Sequence, residues 1–383
     1  MNKIPTVIFY ETSYFRYYGA GMMLLWTMQH LQRIHPVFVT QGQGPLTQRV
    51  QEAGIETVVL PVSGLWQRAG DKKGGGGKIQ KILAAPTLAP HVRALARLAR
   101  EREAIGIHAN STQAALLAGP AAKLAGIPMW WHLRRERPMQ GSERLAYHWA
   151  DQVICVARGV KQALGNPEKA VVIHDGIPST RMNPKATGRA LRQKLGWPEE
   201  ALVVGAVGSL SPRKRHDLFI RMAQQLAPEF PQARFFIAGH RAAGTPAQYE
   251  AQLHQWAAEL EASGRLVFLG WVEEMSEVFA AMDIFAFPTD NEGFGLVAIE
   301  AMQMGVPVVR TDSAGAEDMI TDGESGFIIP TDDLPALTDR VRLLLQDAAL
   351  RQRMGAAGQA VARAKFSARA MTDAIEDLML ARA

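Results

Sequence analysis

Cysteine is nearly absent from this chain: Cys155, inside the apolar run "QVICV", is the single one in 383 residues. One cysteine cannot build an intrachain disulfide framework, which points to a reducing compartment and a cytoplasmic protein. Cys155 itself reads as a small buried core residue rather than a nucleophile. No apolar run reaches the roughly 18 residues that a membrane-spanning helix needs. The opening "MNKIPTVIFYE" meets an acidic residue too early for a secretory signal. The chain also lacks an Asp-x-Asp pattern and any tight His/Cys cluster with metal-ligand spacing, so no metal site is expected. What remains, 48% hydrophobic and 21% charged, is the composition of a soluble globular protein long enough for two domains.

Charge is unevenly spread. Residues 1–180 hold 21 Lys and Arg against 11 Asp and Glu, whereas residues 181–383 hold 21 against 26. A basic half beside an acidic half suggests domains with different partners.

Short β-branched runs alternate with longer helical patterns. The strand candidates in the first half are "TVIFY" (6–10), "PVFVT" (36–40), "TVVLP" (57–61), "IGIHA" (105–109), "IPMWWH" (127–132), "QVICV" (152–156) and "AVVIH" (170–174). In the second half they are "LVVGAVG" (202–208), "RFFIAG" (234–239), "RLVFLG" (265–270), "DIFAFP" (283–288) and "PVVRT" (307–311). Most are apolar on both faces, as strands are when helices cover both sides of a parallel sheet. Two successive sets predict two doubly wound α/β domains. The Pro- and Gly-bearing stretch 174–200 is the expected boundary, dividing 1–178 from 179–383, with the last helix a candidate to cross back to the first domain. "GDKKGGGGKIQK" (70–81) is read as a flexible loop.

The densest signal is "TDNEGFGLVAIEAMQMGVPVV" (289–309). Pro288 closes a strand, "NEGFG" is the strand-to-helix turn, and Gly305 ends the helix. Glu292 then stands at the carboxyl end of a strand, where ligands bind in open α/β sheets. Gly293 and Gly295 allow close approach of the backbone, and the helix start offers N–H groups to an anion. Glu300, five residues into the helix, is placed to reach the same ligand. Such a pattern suits a sugar nucleotide, with the diphosphate on amides and hydroxyls on carboxylates. The same spacing also fits an acid favouring the helix dipole plus a solvated helical glutamate.

"PTDNEGFGLVAIEAMQMGVPVVRTDSAGAEDMITDGESGFIIP" resembles the signature region of family 4 glycosyltransferases, retaining enzymes of the GT-B fold. "VGSLSPRKRHDLFI" (207–220) resembles that family's phosphate turn, and "IHANSTQAALLAGPAAKLAGIPMWWH" (107–132) and "VIHDGI" (172–177) resemble segments of its first domain. The resemblance implies two facing Rossmann-like domains with the active site in the cleft between them. The first would be the acceptor side and the second the donor side. The activity implied is transfer of a sugar, of hexosyl type, from a nucleotide-sugar donor to an acceptor hydroxyl with retention of configuration.

The resemblance also assigns residues. Glu300 corresponds to the glutamate that holds the ribose hydroxyls, and Glu292 to the one beside the donor sugar and diphosphate. The backbone of Gly293, Phe294, Gly295 and Leu296 would contact the same groups. Lys214 matches the phosphate lysine. Ser209 stands where the family usually has Arg, and Arg213 is the candidate to replace it. His132 would face the donor sugar, Gly19 and Gly21 would border the diphosphate, and Trp271 and Val272 follow the strand where the nucleobase sits. Taken alone, Trp271 and His132 also fit ordinary structural positions. No cofactor and no metal are expected, with cations and a helix N-terminus stabilising the leaving diphosphate. Acceptor attack would come from the face that the leaving group departs.

Other readings are an epimerase or phosphorylase on the same fold, a non-catalytic sugar-nucleotide-binding module, and a dehydrogenase carried by the G-A-G turn at 19–21. No nucleic-acid partner is expected. A glycan or lipid-linked acceptor is. In "HVRALARLARERE" (91–103), Arg93, Arg97 and Arg100 fall on one helical face, with Leu95 and Leu98 opposite. With Arg134, Arg135 and Arg137 counted as further charge, peripheral contact with an anionic membrane at its inner face competes with a plain solvated helix.

Overall fold

Alternating apolar runs and amphipathic helices fold here into two parallel sheets. A computed structural model describes residues 3–15, 17, 19–62, 85–242 and 244–381; the stretch 70–81 lies outside them. The chain divides into two compact units. One comprises Met1–Val156, Val160–Asp175 and Ala368–Ala383, and the other Ala157–Gly159 and Gly176–Ser367.

The chain begins with β1 (Thr6–Glu11), α1 (Ala20–His30), β2 (His35–Thr40), α2 (Pro45–Glu52) and β3 (Glu56–Val59). It continues through α3 (Ala89–Glu101), β4 (Ala104–Ala109), α4 (Thr112–Ala125), β5 (Met129–Leu133) and α5 (Ser142–Trp149). Then follow β6 (Gln152–Cys155), α6 (Arg158–Ala163) and β7 (Ala170–Val172). The strands pair in parallel in the order β3-β2-β1-β4-β5-β6-β7. Ile8 stands opposite Val37 on one side and Ile107 on the other. All six residues of β1 are buried, because helices cover both faces of the sheet. The chain runs outward from β1 to β3 and then returns to β4 on the other side. The carboxyl ends of β1 and β4 therefore border a topological switch point, where open sheets of this kind bind ligands.

The second unit holds α7 (Arg189–Lys194), β8 (Leu202–Val207), α8 (His216–Glu229), β9 (Ala233–Ala238), α9 (Ala247–Ala262) and β10 (Leu266–Gly270). Next come α10 (Met275–Ala280), β11 (Ile284–Phe287), α11 (Leu296–Gln303), β12 (Val308–Thr311) and α12 (Ala316–Met319). β13 (Phe327–Ile329), α13 (Leu334–Gln346) and α14 (Ala348–Lys365) complete it. The parallel order is β10-β9-β8-β11-β12-β13, with its own switch point between β8 and β11. Phe219 and Leu226 of α8 and Leu337, Val341 and Leu344 of α13 pack with Val204, Phe235 and Ile237 of the sheet. Helix ends follow the sequence signals. Ser111 accepts from the Ala114 N–H at the start of α4, Gly126 closes that helix in the left-handed region, and Asp333 and Asp347 cap α13 and α14.

All twelve strand candidates are strands. The thirteenth, β13, was not among them, since three residues between Gly326 and Pro330 show no period. The chain's last helix, α15 (Ala368–Leu380), belongs to the first unit. Its Glu376, fully buried, accepts from the backbone N–H groups of Gln32 and Arg33 just beyond α1. Among the described residues no helix is long and apolar enough to cross a membrane. Cys155 is buried, and burial raises its thiol to about 12, so it is inert.

Candidate functional site

The β8–β11 switch point gathers the second unit's charged groups. After β8 the chain turns through Gly208 and Ser209 into a short 3₁₀ turn, Pro212–Lys214, before α8 begins. The turn is tight: Gly208 sits at φ 155°, and a Cβ on Gly239 would lie 1.9 Å from the Gly208 carbonyl oxygen. Only glycine fits at 239, so the loops after β8 and β9 are pressed together. After β11 the chain turns through 288–295. The two turns are joined where the Asp290 N–H and the Thr289 hydroxyl donate to the Arg213 carbonyl, at 2.7 and 3.1 Å.

This joining puts two cations on one carboxylate. Lys214 Nζ lies 2.6 Å from Glu292 Oε2 and 4.7 Å over the Phe287 ring, and Arg213 Nη1 lies 3.0 Å from the same oxygen. Arg213 also donates to the Asn291 carbonyl. Burial pushes Glu292 upward, but Lys214 and Arg213 outweigh it and hold the carboxyl at about 2. Glu292 is therefore an anion at neutral pH and no general acid. Burial lowers the Lys214 ammonium, with Glu292 opposing the fall. Ser209 gives its carbonyl to His216, and its hydroxyl stands 3.5 Å from that of Ser211.

Gly293 is buried in the turn, and Phe294 wedges its side chain there. Its ring packs edge-on against Phe366, and its carbonyl accepts from Arg310 at 2.9 Å. Arg310, fully buried on β12, also donates to the Ser313 hydroxyl and so braces the loop from below. Gly295, at φ 97°, precedes Leu296 at the start of α11, and no side chain caps that start. The helix end is thus shaped to offer backbone N–H groups to an anion.

Glu300 is not a solvated helical glutamate. It is 3% exposed and accepts from Arg181 Nε at 2.7 Å. Burial raises its pKa while Arg181 opposes the rise. The two glutamates thus hold different cations. Trp271 follows β10 and is exposed (53%), not core; its ring meets His240 edge-on at 5.2 Å, and Val272 beside it is half-buried. An exposed aromatic pair at the carboxyl ends of β9 and β10 is available for stacking.

In the first unit the corresponding switch point is lined by a buried polar network. Glu11, ending β1, accepts from the Thr12 and Ser13 N–H groups and from Asn110 Nδ2 at 2.8 Å. The Asn110 side-chain oxygen Oδ1 accepts from Arg134 Nη1 at 2.7 Å, and Arg134 pairs with Asp175 through Nε and Nη2. His132, 2% exposed, receives Arg134 Nη2 and His108 Nε2 at its Nδ1, at 3.3 and 3.2 Å. Arginine can only donate, so Nδ1 is the acceptor and the proton sits on Nε2. That Nε2–H has no hydrogen-bond partner among the described residues; the nearest carboxylate oxygen, of Asp175, is 3.9 Å away. Burial, then Arg134 and His108, hold His132 well below its ordinary pKa, and burial with Arg134 holds His108 at about 3. His132 is thus a neutral, fixed donor. Gly19, at φ 59°, lies exposed before α1, and Gly21 is buried in that helix's first turn.

The arginines after His132 meet carboxylates: Arg134 pairs with Asp175, and Arg135 and Arg137, whose side chains are partly exposed, share the single carboxylate of buried Glu143. Sequence distance hid the first pair, 41 residues apart. Arg93, Arg97 and Arg100 are exposed on one face of α3, with Leu95 and Leu98 buried opposite. Arg181, Arg310, His240 and His108 were not singled out, and nothing in their local sequence marks them. No group of three His, Cys, Asp or Glu side chains among the described residues is arranged to hold a metal ion.

The known proteins that this chain resembles are glycosyltransferases. Residues 188–361 match the model of the family "Glycosyl transferases group 1". The lipopolysaccharide core biosynthesis mannosyltransferase LpsB of Rhizobium meliloti is 32% identical over 224 residues, 58% of this chain and 62% of LpsB. The chain thus spans less than two thirds of LpsB. The GDP-mannose-dependent monoacylated alpha-(1-6)-phosphatidylinositol monomannoside mannosyltransferase of Corynebacterium glutamicum is 29% identical over 323 residues, covering 78% of this chain and 81% of that one. HepE of Anabaena, crystallised with UDP-glucose, superposes with a TM-score of 0.81 over 98% of this chain and 99% of its own, at 24% identity. That likeness speaks for the fold. Residues 188–361 of this protein thus resemble a glycosyl transferases group 1 domain, within a chain of GT-B fold.

Proposed function

We propose that this protein is a glycosyltransferase that moves a hexose from a nucleotide sugar to an acceptor hydroxyl, with retention of anomeric configuration and without a metal ion. The observation that carries this reading is the cluster of Lys214, Arg213 and Glu292 beside the uncapped start of α11. Cations and backbone amides together suit a diphosphate, and Glu300 suits the ribose hydroxyls. As the donor enters, its phosphates compete with Glu292 for Lys214 and Arg213. The anomeric C–O bond to phosphate breaks, and the acceptor oxygen bonds to the same face of that carbon. The acceptor proton passes to the departing phosphate oxygen. Charge on that oxygen is met by Lys214, Arg213 and the helix start, which supports transfer without a divalent cation. His132 donates its Nε2–H to a substrate hydroxyl and takes no proton. Trp271 and His240 offer a face to the base. The first unit serves the acceptor, a glycan or lipid-linked hydroxyl, in the cytoplasm. The exposed Arg93, Arg97 and Arg100 support peripheral contact with an anionic membrane.

UDP-glucose, with which HepE is crystallised, and GDP-mannose, on which the corynebacterial relative depends, are the donors to try first. One should raise the melting temperature and be transferred to a lipid or glycan acceptor. NMR should find the anomeric configuration of the donor in the product, and excess EDTA should leave the rate unchanged. An inverted product, or activity lost to EDTA and restored by magnesium or manganese, would refute the mechanism.

A further inference from the structure

Glu300 is a carboxylate buried to 3% exposure, and the cation that reaches it comes from an unexpected place. Arg181 belongs to the irregular stretch before α7, not to the motif that contains Glu300. That stretch is held to its own unit at several points. The Arg181 N–H donates to the Pro178 carbonyl at 2.9 Å, the Asn183 N–H to the Ser276 hydroxyl at 2.9 Å, and the Gly188 N–H to Glu277 at 3.1 Å. The guanidinium is thereby delivered to Glu300, with Nε 2.7 Å from Oε1.

Among the described residues, the other surroundings of Glu300 offer it no compensating charge. β11, "IFAF", carries no ionisable side chain. Arg310 of β12 is turned to Phe294 and Ser313. α14 meets α11 and its following turn through Gly355, Gly358 and the Gln359 amide. We propose that Arg181 is a positioning residue for nucleotide-sugar recognition, keeping Glu300 ionised and aimed so that its two oxygens accept the ribose hydroxyls. The inference rests on the donor-site reading of Glu300 given above. A carboxylate oxygen has two lone pairs, so Oε1 can accept from Arg181 and from a hydroxyl together.

Burial favours the neutral carboxyl and Arg181 opposes it. A protonated Glu300 loses acceptor capacity, so donor affinity is lost as pH falls through its pKa. Removing Arg181 raises that pKa, and the loss then begins at higher pH.

The test is calorimetric titration of the full chain with UDP-glucose and with GDP-mannose from about pH 5 to about pH 8, where neither diphosphate diester titrates. Arg181→Gln and Arg181→Met should move the acid midpoint of binding upward, weakening it about tenfold per unit below the new midpoint. Arg181→Lys should restore the wild-type midpoint, and Glu300→Gln should abolish the pH dependence in either background. A purely structural Arg181 would change melting temperature and leave the midpoint in place; that result, with Glu300→Ala still weakening binding, overturns the proposal. If Glu300→Ala binds like wild type, or if neither donor binds the wild type, the donor-site reading itself fails.

Discussion

Glu292 is shared by two cations, and its position between them explains why its removal should separate binding from turnover. Glu292→Gln frees Lys214 and Arg213 for phosphate, so free UDP or GDP should bind as tightly as before or more tightly. The loss appears in kcat, on the order of a hundredfold, the scale on which one preorganised electrostatic contact acts. Glu300→Ala should instead weaken binding by roughly 1.5–3 kcal/mol through lost charged hydrogen bonds. Steady-state kinetics beside calorimetry distinguish these effects, and wild-type kcat in Glu292→Gln would sink the assignment. At this scale the sequence was informative about identity but silent about partners. It singled out Glu292, Lys214 and Glu300 as candidates, but not Arg181, which lies 119 positions from Glu300.

At the scale of elements, the motif works because two strand-to-helix turns are built to touch. Gly208 and Gly239 let the loops after β8 and β9 close up, and Thr289 and Asp290 fasten the β11 turn to the backbone of Arg213. α3 shows the other use of a helix, an apolar stripe inward and a basic stripe outward. Each exposed arginine near an anionic bilayer contributes on the order of 1 kcal/mol, screened by salt. The wild type should therefore co-sediment with liposomes containing anionic lipid at low salt and not with neutral ones. The triple variant Arg93/Arg97/Arg100→Glu should stay in the supernatant. Equal recovery of both proteins under every condition would leave α3 a solvated helix.

For the whole molecule, the first unit is completed by the end of the chain. Glu376 of α15 answers two backbone N–H groups beyond α1, and Met371, Ile375 and Met379 are buried on the same helix. Glu376→Ala removes the acceptor shared by the Gln32 and Arg33 N–H groups and the Arg33 side chain, at a cost of about 1.5–3 kcal/mol, the scale of hydrogen bonding to a charged group. In a protein of this size the melting temperature should fall by several degrees. Because Glu292, Lys214 and Glu300 lie in the other unit, nucleotide-sugar affinity below the transition should be unchanged. An unaltered melting curve would show that α15 does not hold the first unit together.

Periodicity was enough to place twelve of the thirteen strands among the described residues and to read two doubly wound sheets, because strands covered on both faces are apolar throughout. The glycines and acids of 289–305 marked a candidate site because turn geometry and charge are local properties. What local pattern does not carry is which distant group meets which. The pairing of Arg134 with Asp175 and the burial of Glu300 against Arg181 exist only once each unit has folded on its own sheet. Trp271 shows the same limit: its local sequence fits a core position, and the fold leaves it exposed beside His240. Arg134, counted at first only as further charge, is the counter-ion of buried Asp175, because a buried carboxylate is stable only beside a cation that the fold delivers.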